Sequence, residues 1–273
     1  MKLRRALDKA ENNRRNENPP ITPALENKLQ KSKIPQWDPP IYDSSVKTSI
    51  DLKHLRKKRF VCSDPDSPEM SSYKILRTEI QHKAQLNNWR TVLVTSALPN
   101  EGKTLTTINL GLSFALAYNQ TVLLVDCDLK RQDIHNCLEV DSSMGIVDNI
   151  INEVPLQKVI TWPGIEKFSF ISGGGRVPNS AEVLGSPQMK ALIDEMKSRY
   201  EDRIILIDCP PILSGADTVT LSQFVDCIII VVHCGGSRIR DVKRALDMMP
   251  KEKVIGFVMN QQQNWKRDGY YYY

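Results

Sequence analysis

Six short segments of strand length, most of them built from Val, Ile and Leu without polar alternation, constrain this chain more than any other feature. They read TVLVTS (91–96), TVLLVD (121–126), KFSFIS (167–172), RIILID (203–208), CIIIVV (227–232) and VIGFVM (254–259). Strands with no polar face must be buried on both sides, which is the situation of a parallel sheet covered by helices. Helical patterns separate them over about 103–118, 145–152, 187–200 and 238–249. A further helix is expected from Ser67-Pro68-Glu69, read as an N-cap, a proline at the first turn and an acid. Met70, Tyr73, Leu76 and Ile80 then follow at helical spacing to about residue 85. Strand and helix in alternation predict an α/β fold with a doubly wound, mostly parallel sheet, one domain over 61–264.

The first 60 residues are different. They carry 15 Lys+Arg against 7 Asp+Glu, a net of +8, and six of the 16 prolines; the remainder of the chain nets −3. Residues 1–60 are therefore expected to be a basic, proline-rich arm, largely disordered, with KHLRKKR at 53–59 as its densest cluster. Its charge suits an anionic surface such as an inner membrane leaflet; nucleic acid is not expected, because no groove-reading motif accompanies it. The N-terminus lacks the apolar core of a secretory signal, and no apolar run approaches the length of a membrane span, so a cytoplasmic protein is expected. Six scattered cysteines with no CxxC pair are read as reduced thiols.

In a parallel α/β sheet, ligands sit beyond the carboxyl ends of the strands. Three of the strands end in related chemistry. TVLVTS runs into ALPNEGKT, which is Ala97, Leu98, Pro99, Asn100, Glu101, Gly102, Lys103 and Thr104. Only the first glycine of the phosphate-binding GxxxxGK[ST] pattern is missing. Gly102 lets the backbone approach phosphate, Lys103 can bridge β- and γ-phosphates, and Thr104 can ligate Mg²⁺. TVLLVD leads into Asp126-Cys127-Asp128, whose two carboxylates point to one side of an extended backbone and can share a hydrated cation. RIILID ends in Asp208-Cys209-Pro210-Pro211, an acid at a strand end closed by two prolines. Cys127 and Cys209, beside these acids, are read as packing residues. At the far end of the chain, GYYYY (269–273) offers Tyr270, Tyr271, Tyr272 and Tyr273 after a polar linker. A phenol of pKa near 10 is protonated at neutral pH, so its attack on phosphorus benefits from a carboxylate that takes the proton.

VLVTSALPNEGKT, VLLVDCDLK and IILIDCPP resemble the three nucleotide motifs of the bacterial tyrosine kinases (BY-kinases) of the CpsD/CapB type, found in capsular and exopolysaccharide systems. SYKILRTEI, SAEVLGSPQM and the terminal tyrosines extend the resemblance over about 70–273. It implies a P-loop ATPase fold of the MinD/ParA kind, ATP and Mg²⁺ as cofactors, and autophosphorylation of Tyr270 to Tyr273. It implies that Lys103, Asp126, Asp128 and Asp208 are catalytic, with Asp126 the base and Asp128 its acidic companion. Thr104, Asp126 and Asp208 become the metal side chains, and Asn260 the contact to adenine. Lys130 stands where the family has an arginine. The family's ExxRxxR helix reads Ser71, Lys74 and Arg77 here, without the glutamate, which bears on whether copies of the chain assemble into rings. The resemblance also implies recruitment to the inner face of the plasma membrane by an activator of the polysaccharide chain-length, or co-polymerase, type. Two other readings use the same fold: a positioning ATPase of the MinD/ParA type, and a nucleotide-gated adaptor without phosphotransfer. Leu98 stands where positioning ATPases carry a signature lysine, and such proteins have no use for a tyrosine tail.

Overall fold

The computed structural model describes residues 45–50, 55, 59–63, 67, 69–141 and 143–262. The tyrosine tail and the first 44 residues of the basic arm lie outside them. In chain order the elements are β1 (Val46–Lys47), α1 (Met70–Asn87), β2 (Thr91–Ser96), α2 (Lys103–Ala115), β3 (Thr121–Asp126), α3 (Asp133–Leu138) and α4 (Ile146–Asn152). There follow α5 (Leu156–Val159), β4 (Ile160–Trp162), β5 (Phe168–Ile171), α6 (Ser180–Leu184), α7 (Pro187–Ser198) and β6 (Arg203–Asp208). The series closes with α8 (Asp217–Leu221), β7 (Cys227–His233), α9 (Ile239–Asp247) and β8 (Val254–Asn260).

Among the described residues eight strands form one sheet in the order β1-β4-β5-β3-β6-β2-β7-β8. Every pair is parallel except β4 with β5. The doubly wound, mostly parallel α/β sheet is thus the architecture of the chain. Successive residues of each central strand serve opposite faces. Leu93, Leu123, Val125, Ile205, Ile207, Ile228 and Ile230 pack with α4, α7 and the underside of α9. Val92, Val94, Val122, Leu124, Ile204, Leu206 and Ile229 pack on the other side with α1, α2 and α3. Helix α2, directly behind the phosphate-loop motif, is buried along nearly its whole length. It forms the rigid floor from which that loop rises.

The sheet extends beyond the span expected from the sequence. β1 lies before residue 61 and pairs with β4, so that Val46 faces Thr161. Leu55 and Phe60 are buried among α1 and α2. Asn109 of α2 ties this segment down, accepting from Cys62 N–H at 3.0 Å and donating to the Arg59 carbonyl at 3.2 Å. A few apolar residues set among lysines and arginines are therefore core residues, where the average composition reads as solvated arm. β4 was also not anticipated. ITW is only three residues long and sits at the antiparallel margin of the sheet.

Helix starts separate two similar signals. At Ser186-Pro187 the serine hydroxyl accepts from Met189 N–H at 3.1 Å, and the proline occupies the first turn of α7. Ser67 instead donates its hydroxyl to the Val61 carbonyl at 2.8 Å, and α1 begins at Met70 with Glu69 at its cap. None of the six cysteines, all among the described residues, forms a disulfide. Among the described residues no helix is long and apolar enough to cross a membrane.

Candidate active site

The central strands point their carboxyl ends to one edge, and the order β3-β6-β2-β7-β8 brings five of them side by side. Residues 97–102 link β2 to α2 and turn through two left-handed positions, Asn100 (φ 65) and Gly102 (φ 90). A side chain at 102 would be strained by that φ, and its Cβ would collide with Nδ2 of Asn260. The loop delivers the free N–H groups of the 13-residue α2 to the edge of the sheet, an arrangement that favours anions.

Lys103, Thr104, Asp128 and Asp208 meet there. Lys103 Nζ donates to Asp128 Oδ2 at 2.7 Å and lies 3.6 Å from Asp208 Oδ2. Thr104 Oγ1 donates to the same Asp208 oxygen at 2.6 Å. Thr107, one turn on in α2, donates to Asp208 Oδ1 at 3.4 Å. Burial opposes the charge on Lys103, yet Asp208, Asp128 and Asp126 outweigh it and raise the ammonium pKa. For Asp208 burial dominates and lifts the carboxyl pKa, although Lys103 and Thr104 pull it down.

Asp126 is the strand partner of Asp208 across β3 and β6. It is fully buried and turned onto backbone: Oδ1 accepts from Asp128 N–H at 3.1 Å and Oδ2 from Ile134 N–H at 3.0 Å. Burial first, then the charge of Asp208, pushes its pKa well above the ordinary carboxylate range. Such a carboxyl is poised to hold a proton. Cys127 and Cys209 are buried in the apolar cluster beneath, and burial together with Cys127 raises the Cys209 thiol pKa. Both fit their reading as packing residues.

Several further contacts frame the site. Glu101 is buried between its exposed or half-buried neighbours. Its Oε2 accepts from Leu98 N–H at 2.8 Å, and its Oε1 accepts from the Ser237 hydroxyl. Asn260, at the end of β8, donates to the Glu101 carbonyl at 2.9 Å, and Gln261 donates to the Asn100 carbonyl at 2.8 Å. The asparagine expected at adenine therefore sits against the phosphate loop. Lys130 reaches across to buried Asp217 at 2.8 Å, and the Ser180 hydroxyl bonds the other oxygen of that carboxylate. Of these side chains Ser237, Gln261 and Asp217 carry no motif of their own. The usable signal was position: an acid inside the loop, and HCGGSR directly after a buried strand.

The donor set fits a magnesium nucleotide. Hydroxyl and carboxylate oxygens suit a hard cation, and Thr104, Asp128 and Asp208 present such oxygens around one lysine. Among the described residues no group of three or more His, Cys, Asp or Glu side chains could hold a metal unaided. Thr104 and Asp208 would accordingly share the ion with phosphate oxygens and water.

A fold of this kind with this edge chemistry is a P-loop nucleotide-binding domain. The chain belongs to the AAA domain family, whose model matches residues 100–251, more than half its length. Among curated proteins it is similar to tyrosine-protein kinase YwqD of Bacillus subtilis, 27% identical over 221 residues, covering 80% of this chain and 92% of that one. It is also similar to the putative tyrosine-protein kinase CapB of Staphylococcus aureus, 26% identical over 216 residues, covering 78% and 93%. Its fold matches the kinase domain of Escherichia coli tyrosine kinase ETK with a TM-score of 0.71 at 22% identity, over 86% of this chain and 94% of that one. An ATP complex of Cyanothece McdA matches with a TM-score of 0.54 at 19% identity, over 63% and 70%.

Proposed function

We propose that the chain is an ATP-dependent protein tyrosine autokinase that phosphorylates its own terminal tyrosines and thereby regulates capsular or exopolysaccharide synthesis or export. The observation that carries the reading is the convergence of Lys103, Thr104, Asp128 and Asp208 within hydrogen-bonding reach at the end of β2, β3 and β6, in a chain that carries four consecutive tyrosines at 270–273. The kinases YwqD and CapB, similar over most of both chains, support it.

Bound Mg²⁺·ATP supplies the transferable phosphoryl group. The N–H groups at the start of α2 and the Lys103 ammonium hold the phosphate oxygens and offset their charge. Thr104 and Asp208 orient the metal side of the nucleotide. A tyrosine oxygen forms its bond to the γ-phosphorus as the bond from that phosphorus to the β,γ-bridging oxygen breaks. The phenolic proton passes to the carboxylate form of Asp126 as the tyrosine oxygen attacks. Because Asp126 is buried under the backbone of 128 and 134, the 127–134 turn must open to let a tyrosine reach it. Asn260 lies at the rim where a base would leave the phosphate loop, consistent with an adenine contact made beside its bond to Glu101.

The same reading places the protein at the inner face of the plasma membrane, brought there by an activator of the polysaccharide co-polymerase type and by its basic arm. The test is incubation of the purified chain with Mg²⁺·ATP, followed by mapping of phosphosites. Phosphate on Tyr270 to Tyr273, lost in Lys103→Met with the fold intact, is the expected result. ATP hydrolysis without phosphotyrosine, with or without a membrane partner, would replace this reading by a positioning ATPase or a nucleotide-gated adaptor.

A further inference from the structure

A phosphate loop works only if its backbone N–H groups are held inward before phosphate arrives. This one lacks the first glycine of the usual pattern, with Ala97 in its place. Its first limb is held by something else. Leu98 donates its N–H to the Glu101 side chain three residues on, closing the loop on itself at 2.8 Å. Glu101 is 3% exposed, so the bond is shielded from water. The second carboxylate oxygen takes the hydroxyl of Ser237, and Ser237 Oγ in turn accepts from His233 N–H, at the last residue of β7, at 2.9 Å. The bend 233–237 is fixed by two further bonds to the His233 carbonyl, from Gly236 at 3.1 Å and Ser237 at 3.0 Å. The loop is therefore tied sideways to the neighbouring strand through one side chain.

Placing a carboxylate there has an electrostatic cost, since phosphate brings like charge to the same loop. Nothing in phosphate chemistry asks for an acid at 101. A brace does, because the two oxygens of one carboxylate can take an N–H from the loop and an O–H from the strand end at once. We propose that Glu101 is a positioning residue of the nucleotide site: its carboxylate closes the phosphate loop into its binding shape, and Ser237 anchors that carboxylate to the end of β7. The proposal deepens the kinase reading, and its consequence for ATP rests on that reading, but the brace itself is a property of the protein alone.

Charge and brace predict opposite signs. If Glu101 acted only as a charge facing phosphate, Glu101→Gln and Glu101→Ala would both tighten nucleotide binding. As a brace, Glu101→Gln keeps an oxygen for Leu98 N–H and an amide donor for Ser237, whereas Glu101→Ala leaves the Leu98 N–H without its acceptor. The experiment uses the full-length chain and two readouts. Hydrogen exchange at the Leu98 amide, in nucleotide-free protein, is expected to quicken about tenfold or more in Glu101→Ala, less in Ser237→Ala, and to stay within about twofold in Glu101→Gln. With Mg²⁺·ATP, KM is expected to rise about tenfold in Glu101→Ala while kcat changes by no more than about threefold, because the loss falls on binding shape and not on the transferring atoms. Should Glu101→Ala fail to fold, Ser237→Ala decides the matter by the same amide. Leu98 exchange unchanged in Glu101→Ala and Ser237→Ala, or tighter nucleotide binding in both Glu101 variants, would overturn the proposal. If the wild-type chain bound no nucleotide at all, the kinase reading would fall, while Leu98 exchange would still decide for or against the brace.

Discussion

Gly102 and Asn260 touch across the site, one at the base of the phosphate loop and the other at the end of the last strand. Gly102→Ala puts a methyl group where two costs add. The residue holds φ +90, and a left-handed conformation costs a non-glycine residue about 1–2 kcal/mol. The new Cβ also drives Asn260 Nδ2 away from the Glu101 carbonyl, forfeiting a hydrogen bond worth about 0.5–1.5 kcal/mol. Together these give about 1.5–3.5 kcal/mol, or a fall in melting temperature of roughly 3–14 °C at about 2–4 °C per kcal/mol. Asn260→Ala removes the obstructing amide and the bond in one step. In that background Gly102→Ala should cost only the backbone strain, so the two substitutions should couple by about 0.5–1.5 kcal/mol. Thermal and denaturant unfolding of the four proteins, without nucleotide, completes the cycle. An equal cost for Gly102→Ala in both backgrounds would refute the contact, and a cost near zero would refute the strained turn as well.

Asp126→Asn should lose far more phosphotransfer than Cys127→Ala, because only the carboxylate can hold the tyrosine proton; equal losses on folded protein would make the 126–128 turn merely structural. Asp226 receives the N–H groups of Arg90 and Thr91 and the Lys197 ammonium; burial opposes its charge, but these donors hold its pKa below the ordinary value. Its stabilisation is therefore complete above about pH 4 and is lost as pH falls through the folded pKa. Asp226→Asn should be destabilised by about 1–3 kcal/mol at neutral pH, and denaturant melts should show that gap closing in acid. Removing residues 1–40 should weaken salt-sensitive binding to anionic vesicles. Removing 1–55 should lower melting temperature as well, since β1 and buried Leu55 go with it.

Much of the sheet was legible because its signal is local and dense. The runs 91–96, 121–126 and 203–208 are strands end to end, since residues buried on both faces leave no room for polar punctuation. β1 and β4 were not legible: two or three residues paired at a sheet margin leave no periodicity, and their register depends on partners far along the chain. Leu55 and Phe60 were hidden by the charge around them, and Ser67 by a hydroxyl that found the Val61 carbonyl first. In the site, Lys103, Thr104, Asp128 and Asp208 declare themselves because phosphate and metal chemistry restricts which residues can do the work. Ser237, Gln261 and Asp217 do not, since the partner of each lies more than eighty residues away.

The clamp formed by Asn260 and Gln261 has a kinetic meaning. Tyr273 is the twelfth residue after Gln261, so chain length bounds its distance from the clamp at about 40 Å, and that of Tyr270 at about 30 Å. A hydroxyl on so short a tether would meet the rim of the loop at an effective concentration that does not depend on the amount of protein in solution. Dilution then becomes the informative variable. Transfer within one chain keeps its rate per molecule as the protein is diluted, whereas transfer to a neighbour slows in proportion to the partners that remain.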